Sequence, residues 1–505
     1  MKTLFRILFI SSLMVLFVVG CTDKFEEINE DPNNAVSVES GYILTYAQKS
    51  LIDNLRDEWF GGRGTQLLCQ HWSQRNYPDE DRYAIRTTTI NNAWRAFYRT
   101  IMNLDKIIEL NTNEATKNDA LASGPNEHQI AVAKIMKVWI MNIITDTWGN
   151  VPYTEAFLAN ANRQPKFDSQ QDIYTAMIEE LKEAATLIDP ANGDLTIGDI
   201  IYGGDVAKWE KFANSLRLRI ALRMSKRNAA PLAEVAALPA SSFFTSNDDN
   251  AVFKYLTASP NQGPIYEAFF VSARNDFTIT KPFVELLAGR NDALNGKTNP
   301  FAGIFDPRLA IWSYPTSGAN YIGMPYGMDD AQTKAYAPNC PDYSANPSIV
   351  HTPDFGYALM DYAEVCFIMS EVNSWDQTWY QNGIRASMEF WGVANADITA
   401  YLAAVPAANQ ENVLTQKHIA LYMQPEQAWF EWRRTGFPKT LINPGEITHV
   451  SGGNNIIFTP LEGNAIPRRM WYPVEEQGVN KENYTAAVEA QGPDALSTRV
   501  WWDVQ

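Results

Sequence analysis

One segment, residues 206–224, restricts the architectures open to this chain more than any other feature. Placed on a helix, Val206, Trp209, Ala213, Leu216, Ile220 and Met224 form one apolar stripe, while Leu218 and Leu222 fall on the opposite face. A helix that is apolar on two sides has to be packed on two sides. Inner helices of stacked helical hairpins meet that demand, and tetratricopeptide arrays are one such architecture, although no strict repeat period runs through the chain. The neighbouring patterns agree. A capping Asp168 or Ser169 precedes Ile173, Met177, Leu181, Ala184 and Ile188 on one face, and Asp189-Pro190 ends the run, so this reads as an amphipathic surface helix. Residues 131–144 are strongly apolar but carry Lys134, Lys137 and Asn142, which makes them a buried helix and not a membrane span. With 505 residues and 46% hydrophobic content, the chain has room for roughly three domains or one large helical body. The fold class read from these patterns is mainly all-α.

Helical periodicity dominates residues 36–228 and returns at 357–373, 379–391 and 413–432, within a C-terminal block of 357–505 that ends in a Pro- and Gly-rich tail. Between the blocks, residues 229–356 crowd Pro, Gly, Asn and Tyr together and read as loops, interrupted by a helix over 281–287. A loop-rich insertion of this length between helical blocks points to function.

The N-terminus carries an address. Lys2 and Arg6 precede an uncharged run over residues 7–19, and Val18-Val19-Gly20-Cys21 follows. The run is shorter than a spanning helix requires and is flanked as a signal peptide is, so residues 1–20 read as a cleaved secretory signal. Small residues followed at once by cysteine form a bacterial lipobox, with Cys21 acylated as the new N-terminus. The alternative is a soluble secreted protein with a chance cysteine there. Residues 21–35, acidic and turn-rich, suit a tether between lipid and body. The remaining Cys69, Cys340 and Cys366 are odd in number and lack C-x-x-C spacing, so neither a zinc site nor a disulfide framework is indicated. Cys69 and Cys366 lie in apolar runs, and Cys340 reads as a loop residue. A formal net charge of −17 disfavours nucleic acid as a partner.

The common catalytic signatures are absent: no H-E-x-x-H, G-x-S-x-G, S-x-x-K, Walker or EF-hand pattern occurs. The chain is therefore read as a non-enzyme requiring no metal or cofactor. Gly61-Gly62-Arg63-Gly64 reads as a turn. Asp79-Glu80-Asp81 and Asp248-Asp249 are candidates for a glycosidase carboxylate pair, against the plainer reading of solvated acidic loops. Trp139, Trp209 and Trp429 lie at helical spacing and read as core, and Trp501-Trp502 as packing. Two aromatic groups lie instead in polar loops. In residues 70–83, Trp72, Tyr77 and Tyr83 alternate with Asn76, Asp81 and Arg82, and the second group is Trp312, Tyr314, Tyr321 and Tyr326. A pyranose ring needs that mixture: an aromatic face for its C–H side and amide, carboxylate and guanidinium partners for its hydroxyls. The competing reading is that these are structural loop aromatics.

Taken in order, several short segments resemble the SusD/RagB nutrient-binding outer-membrane lipoproteins of Bacteroidetes-type bacteria. They are the lipobox with Phe25-Glu26-Glu27-Ile28-Asn29-Glu30-Asp31-Pro32-Asn33, then Trp148-Gly149-Asn150-Val151-Pro152-Tyr153, Phe167-Asp168-Ser169-Gln170-Gln171-Asp172-Ile173-Tyr174 and Trp209-Glu210-Lys211-Phe212-Ala213-Asn214-Ser215-Leu216-Arg217. Asp306-Pro307-Arg308, Trp429-Phe430-Glu431-Trp432-Arg433-Arg434-Thr435-Gly436 and Ile466-Pro467-Arg468-Arg469 complete the set. The resemblance implies a helical body with tetratricopeptide-like hairpins, lipid-anchored on the outer-membrane surface. It implies capture of glycans, or in some members peptides, for a SusC-like TonB-dependent transporter. In such proteins the loop after the first helical region and the central insertion form a sugar site, which places it here at residues 72–83 and 312–326. An extracellular glycosidase and a helical-repeat interaction scaffold are the remaining alternatives.

Overall fold

The computed structural model describes residues 38–158 and 161–504, so the signal segment, Cys21 and the tether lie outside the described residues. The chain divides into Met1–Glu39 and a body, Ser40–Gln505. The body is built from α1 (Ser40–Leu55), α2 (Thr87–Thr112), α3 (Asn126–Trp148), α4 (Gln170–Leu187) and α5 (Val206–Met224), followed after the loop-rich insertion by α6 (Tyr362–Val372), α7 (Gln377–Phe390), α8 (Asn395–Ala404), α9 (Gln410–Ala420), α10 (Pro425–Thr435) and α11 (Lys481–Gln491). Successive helices pack as neighbours from α1 to α5, α5 also packs against α6, and α6 against α7 and α9. The two-sided pattern of residues 206–224 is realised: α5 buries Leu218 and Leu222 as well as Trp209, Leu216 and Ile220. Ser169 caps α4 by accepting from Asp172 N–H, as the sequence indicates. Trp139, Trp209, Trp429 and Trp502 are core residues. Among the described residues no helix is long and apolar enough to cross a membrane.

Short motifs of the chain become ion pairs that cross between hairpins inside the core. Arg219 on α5 pairs with Glu364 on α6, and Arg223 on α5 reaches Asp146 on α3 at 2.6 Å and Glu431 on α10 at 3.2 Å. Glu431 also takes Lys417 of α9 at 2.8 Å and Arg434 at 2.9 Å. Burial alone would raise the Glu431 carboxyl, but Arg434, Lys417 and Arg223 hold it well below the usual carboxylate range. Such pairs fix which helix faces which, since an unmatched charge in this interior costs several kcal/mol. Arg308 is likewise buried, paired with Asp306 at 2.6 Å.

Several sequence expectations are revised. Residues 357–360 are not helical: Gly356–Met360 forms a strand that pairs antiparallel with Ala251–Lys254, and the helix begins only after Asp361, whose side chain caps it. The 413–432 pattern is two helices, because Pro425 cannot sit inside one and Met423 takes φ 66° to turn the chain. Gly61 to Gly64 is no turn but part of a π-helix, Glu58–Thr65, folded back on the end of α1. A Cβ at Gly61 would lie 2.8 Å from the Leu55 carbonyl oxygen. The acidic segments are solvated only in part: Asp79 and Asp248 are exposed, but their neighbours are not. Glu80 and Asp81 are buried, and Asp249 pairs with Lys211 at 2.9 Å. Cys340 is buried beside Met324. The helix over Lys281–Leu287 forms as expected, with Thr280 as its cap.

Candidate functional site

The π-helix exists because Asp57 accepts three consecutive N–H groups, from Trp59 (3.1 Å), Phe60 (2.6 Å) and Gly61 (3.3 Å). Burial pushes the Asp57 carboxyl up to about 7 against the opposing pull of those donors. The wound turn places Phe60 in the core, while Trp59 stays half-buried at the surface. Three guanidinium carbons lie near the Trp59 ring centroid: Arg63 at 5.2 Å, Arg274 at 5.4 Å and Arg86 at 5.6 Å. Each is held by carboxylates. Buried Arg63 pairs with Asp276 and reaches Glu80 at 3.4 Å, Arg86 binds Glu80 at 2.6 Å, and Arg274 lies 3.7 Å from Glu58 and 3.5 Å from Asp276. Arg86 and Arg274 are the accessible pair, with side chains 42% and 40% exposed. A cleft of about 270 Å³ opens beside Trp59, lined also by Asn54, Asp57, Thr88 and Asn92. The cleft lining supplies an indole, amides and hydroxyls, and the two accessible guanidinium forks lie beside the same indole, a combination suited to a polyhydroxylated ring.

The loop at 72–83 abuts this cluster and joins the central insertion. A strand at Trp72–Gln74 pairs antiparallel with Phe277–Ile279, in the register Trp72 to Ile279 and Gln74 to Phe277. Beyond it the Arg75 guanidinium donates to Pro341 O at 2.6 Å, Asn76 Nδ2 to Asn275 O at 3.2 Å, and Asn275 Nδ2 to Asp342 Oδ1 at 2.6 Å. The Tyr314 hydroxyl closes the chain on Asp342 O at 2.9 Å. The two predicted loops are thus brought together at Asn76 and Tyr314.

Five of the ten residues predicted to face a ligand point inward instead. Trp72 is 2% exposed, donates Nε1–H to the Tyr422 hydroxyl at 3.0 Å and stacks on Phe277. Trp312 is buried on Tyr422, ring centroids 4.3 Å apart, and Tyr83 and Tyr326 both set their rings edge-on to Phe458 at 5.4 Å. Asp81 accepts from Ser73 Oγ (2.5 Å) and Gln74 N (3.1 Å), and burial pushes its carboxyl up to about 8. The strand pairing explains the inversion, since it draws residues 72–74 into the core and the polar partners of this segment are protein groups. Asn76, Tyr77, Arg82, Tyr314 and Tyr321 stay accessible. Tyr77 is 58% exposed at φ 56°, a backbone conformation uncommon for a non-glycine residue. Arg82 is tied to Thr459 O at 2.9 Å, and Tyr321 lies against Phe305. Sequence reasoning missed Trp59, Arg86 and Arg274. The available signal was a tryptophan between Glu58 and a glycine cluster, set aside once the cluster was read as a turn. Among the described residues, no group of three or more His, Cys, Asp or Glu side chains is arranged to hold a metal ion.

Comparison with known proteins adds the family. The profile described as SusD-like, "Starch-binding associating with outer membrane", matches residues 32–473. A solved chitin-binding protein is 25% identical, with 92% of this chain and all of that chain covered at a TM-score of 0.75. A chitin-binding SusD homologue from Flavobacterium johnsoniae is 22% identical, with 92% and 99% covered at 0.71. A SusD homologue from Parabacteroides distasonis is 20% identical, with 92% and 98% covered at 0.75. No curated protein sequence matches. The profile spans most of the body, and solved SusD homologues align over 92% of the chain, so this chain belongs to the SusD-like family of outer-membrane-associated binding proteins.

Proposed function

We propose that this protein captures oligosaccharide at the Trp59 cleft, without cleaving it, and passes it to a SusC-like TonB-dependent transporter. The observation that carries the reading is the half-buried Trp59 indole, bordering open space and flanked by the accessible guanidinium groups of Arg86 and Arg274. A sugar's C–H face packs on such a ring, and the forks bond its hydroxyls. Asn76, Tyr77 and Tyr314 extend the surface, while Tyr321 and Arg82 are peripheral to it. Glu58, Glu80 and Asp276 are engaged with arginines and Asp57 with three backbone N–H groups, which suits holding a ligand more than protonating a leaving group. The chitin-binding relatives make chitooligosaccharide the first ligand to test. Anchoring is assigned to acylated Cys21: a tethered binding body serves uptake only if a channel takes the cargo inward, and two partners in one membrane meet at high effective concentration.

The test is calorimetric titration of chitohexaose into the purified protein and its Trp59→Ala variant, with an assay for new reducing ends. Saturable binding, weakened at least tenfold by the substitution and without new ends, is the expected result. Equal binding by the variant refutes the site, and new ends refute the non-catalytic reading.

A further inference from the structure

The lining of the Trp59 cleft contains one ionisable side chain, Asp57, and its two oxygens are used differently. Oδ1 takes all three N–H groups that wind the π-helix. Oδ2 has no hydrogen bond or ion pair among the described residues, and it keeps access to solvent in the cleft that this residue lines. Three bonds to one oxygen fix the orientation of the carboxyl, so the second oxygen is held in place without being used by the fold. Asn54 repeats the pattern from the end of α1. Its Nδ2 donates to Ser50 O at 2.7 Å, which leaves Oδ1 as the free group. On the α2 side, the Thr88 hydroxyl and the Asn92 amide have no partner among the described residues. The groups that the fold holds fixed in this lining therefore offer acceptors, while Arg86 and Arg274 beside the indole offer donors.

We propose that Asp57 selects the ligand of this cleft, its free oxygen accepting a hydroxyl or amide hydrogen of the bound sugar, an inference that rests on the glycan reading of the same site. A bond accepted by a carboxylate is charge-assisted and stronger than one accepted by a neutral group, so capture depends on the ionised form. Burial pushes this carboxyl up to about 7 against its three N–H donors, and neighbouring Glu58 adds to the rise. As the pH falls through that value the proton goes to Oδ2, because Oδ1 faces N–H groups, and the acceptor becomes a donor. The other charged groups around the indole are Arg63, Arg86 and Arg274 with their partners Glu58, Glu80 and Asp276. Neither α1 nor α2 adds an ionisable group to the lining. Capture thus strengthens as the pH rises through about 7 and is lost below it.

The test titrates chitohexaose calorimetrically into the full-length protein in mild detergent at pH 8.0, 7.0 and 5.5, and at pH 6.5 in two buffers of different ionisation enthalpy. The wild type is measured beside Asp57→Asn and Glu58→Gln, with circular dichroism to check folding. Asp57→Asn is chosen because its Oδ1 can still accept the three N–H groups while Nδ2 replaces the free acceptor with a donor. Expected for the wild type are an affinity about tenfold weaker or more at pH 5.5 than at pH 8.0, and a proton released on binding at pH 6.5. Expected for Asp57→Asn are an affinity reduced about tenfold at pH 8.0 and no dependence on pH or buffer, whereas Glu58→Gln keeps both dependences. Wild-type binding that is saturable but indifferent to pH and buffer overturns this inference and leaves glycan capture standing. Wild-type affinity in folded Asp57→Asn does the same, as does loss of the pH dependence in Glu58→Gln. No binding by the wild type at any pH overturns both readings. Should Asp57→Asn fail to fold, the wild-type pH profile and proton release decide the matter.

Discussion

Replacing His418 by Phe makes the interior's dependence on pH measurable at one position. The His418 ring lies 4.5 Å from the ring of His71 and 6.1 Å from Phe283, and neither of its nitrogens has a hydrogen-bond partner. Burial lowers its pKa from the ordinary 6.5 to about 3, and burial with the neighbouring His418 drives His71 well below its ordinary value too. A histidine neutral in the fold takes up a proton on unfolding, so the unfolded chain binds more protons at every pH between about 3 and 6.5, and stability falls as pH falls through that window. At pH 5 the unfolded side chain is nearly fully protonated and the folded one hardly at all, a site contribution of about 2 kcal/mol against almost nothing at pH 7.5. Asp57, Asp81 and Asp361, pushed up to about 7, 8 and 7, act in the opposite sense by holding protons in the fold, so the wild-type profile alone does not isolate the histidine. The difference between wild type and variant does. Urea unfolding followed by tryptophan fluorescence at pH 7.5, 6.0 and 5.0 should show His418→Phe gaining about 2 kcal/mol on the wild type as the pH drops. A constant difference at all three values would refute the claim that this ring is buried uncharged.

Trp72→Ala should cost about 3–5 kcal/mol in unfolding experiments, as for any large core side chain replaced by a cavity, and leave chitohexaose affinity unchanged in the surviving folded protein. Tyr77→Ala should do the converse, weakening the ligand severalfold by calorimetry with little shift in melting temperature, because its ring is mostly in solvent. Glu431→Gln should destabilise by about 3–5 kcal/mol in the same urea assay, since Arg223, Lys417 and Arg434 lose a shared buried counter-charge. Cys21→Ala should move the protein from the membrane to the soluble fraction after cell fractionation, since lipidation contributes about 0.8 kcal/mol per buried CH₂ and no described helix can replace it.

The helical scaffold was legible because its signal is periodic and local. The two stripes of α5 and the Ser169 cap each need only a few consecutive residues to be seen. The strand at Gly356–Met360 was not, since a five-residue apolar run next to a helix reads as part of that helix until its partner, some hundred residues earlier, is known. The proposed site adjoins the loop that the sequence singled out but uses other residues. Aromatic residues alternating with polar ones over 72–83 look the same whether the polar partners belong to a sugar or to the protein. Here Trp72 finds Tyr422 and Asp81 finds Ser73, contacts decided by tertiary structure. Trp59 was hidden by the opposite error, because a glycine cluster suggested a turn where Asp57 winds a π-helix.

On the proposed function, the division of labour among the three arginines around Trp59 bears on how quickly cargo is exchanged. Arg63 is buried beside the ring and held by Asp276 and Glu80, while Arg86 and Arg274 each hold a carboxylate from a partly exposed position. The support behind the Trp59 ring is therefore fixed and loses little freedom when a ligand arrives, which keeps association fast. The groups proposed to grip are partly exposed, and contacts of that kind yield short residence times and not tight retention. A receptor that loads quickly and unloads quickly is suited to relay, because a carrier that held its cargo for minutes would set the pace of every step after it.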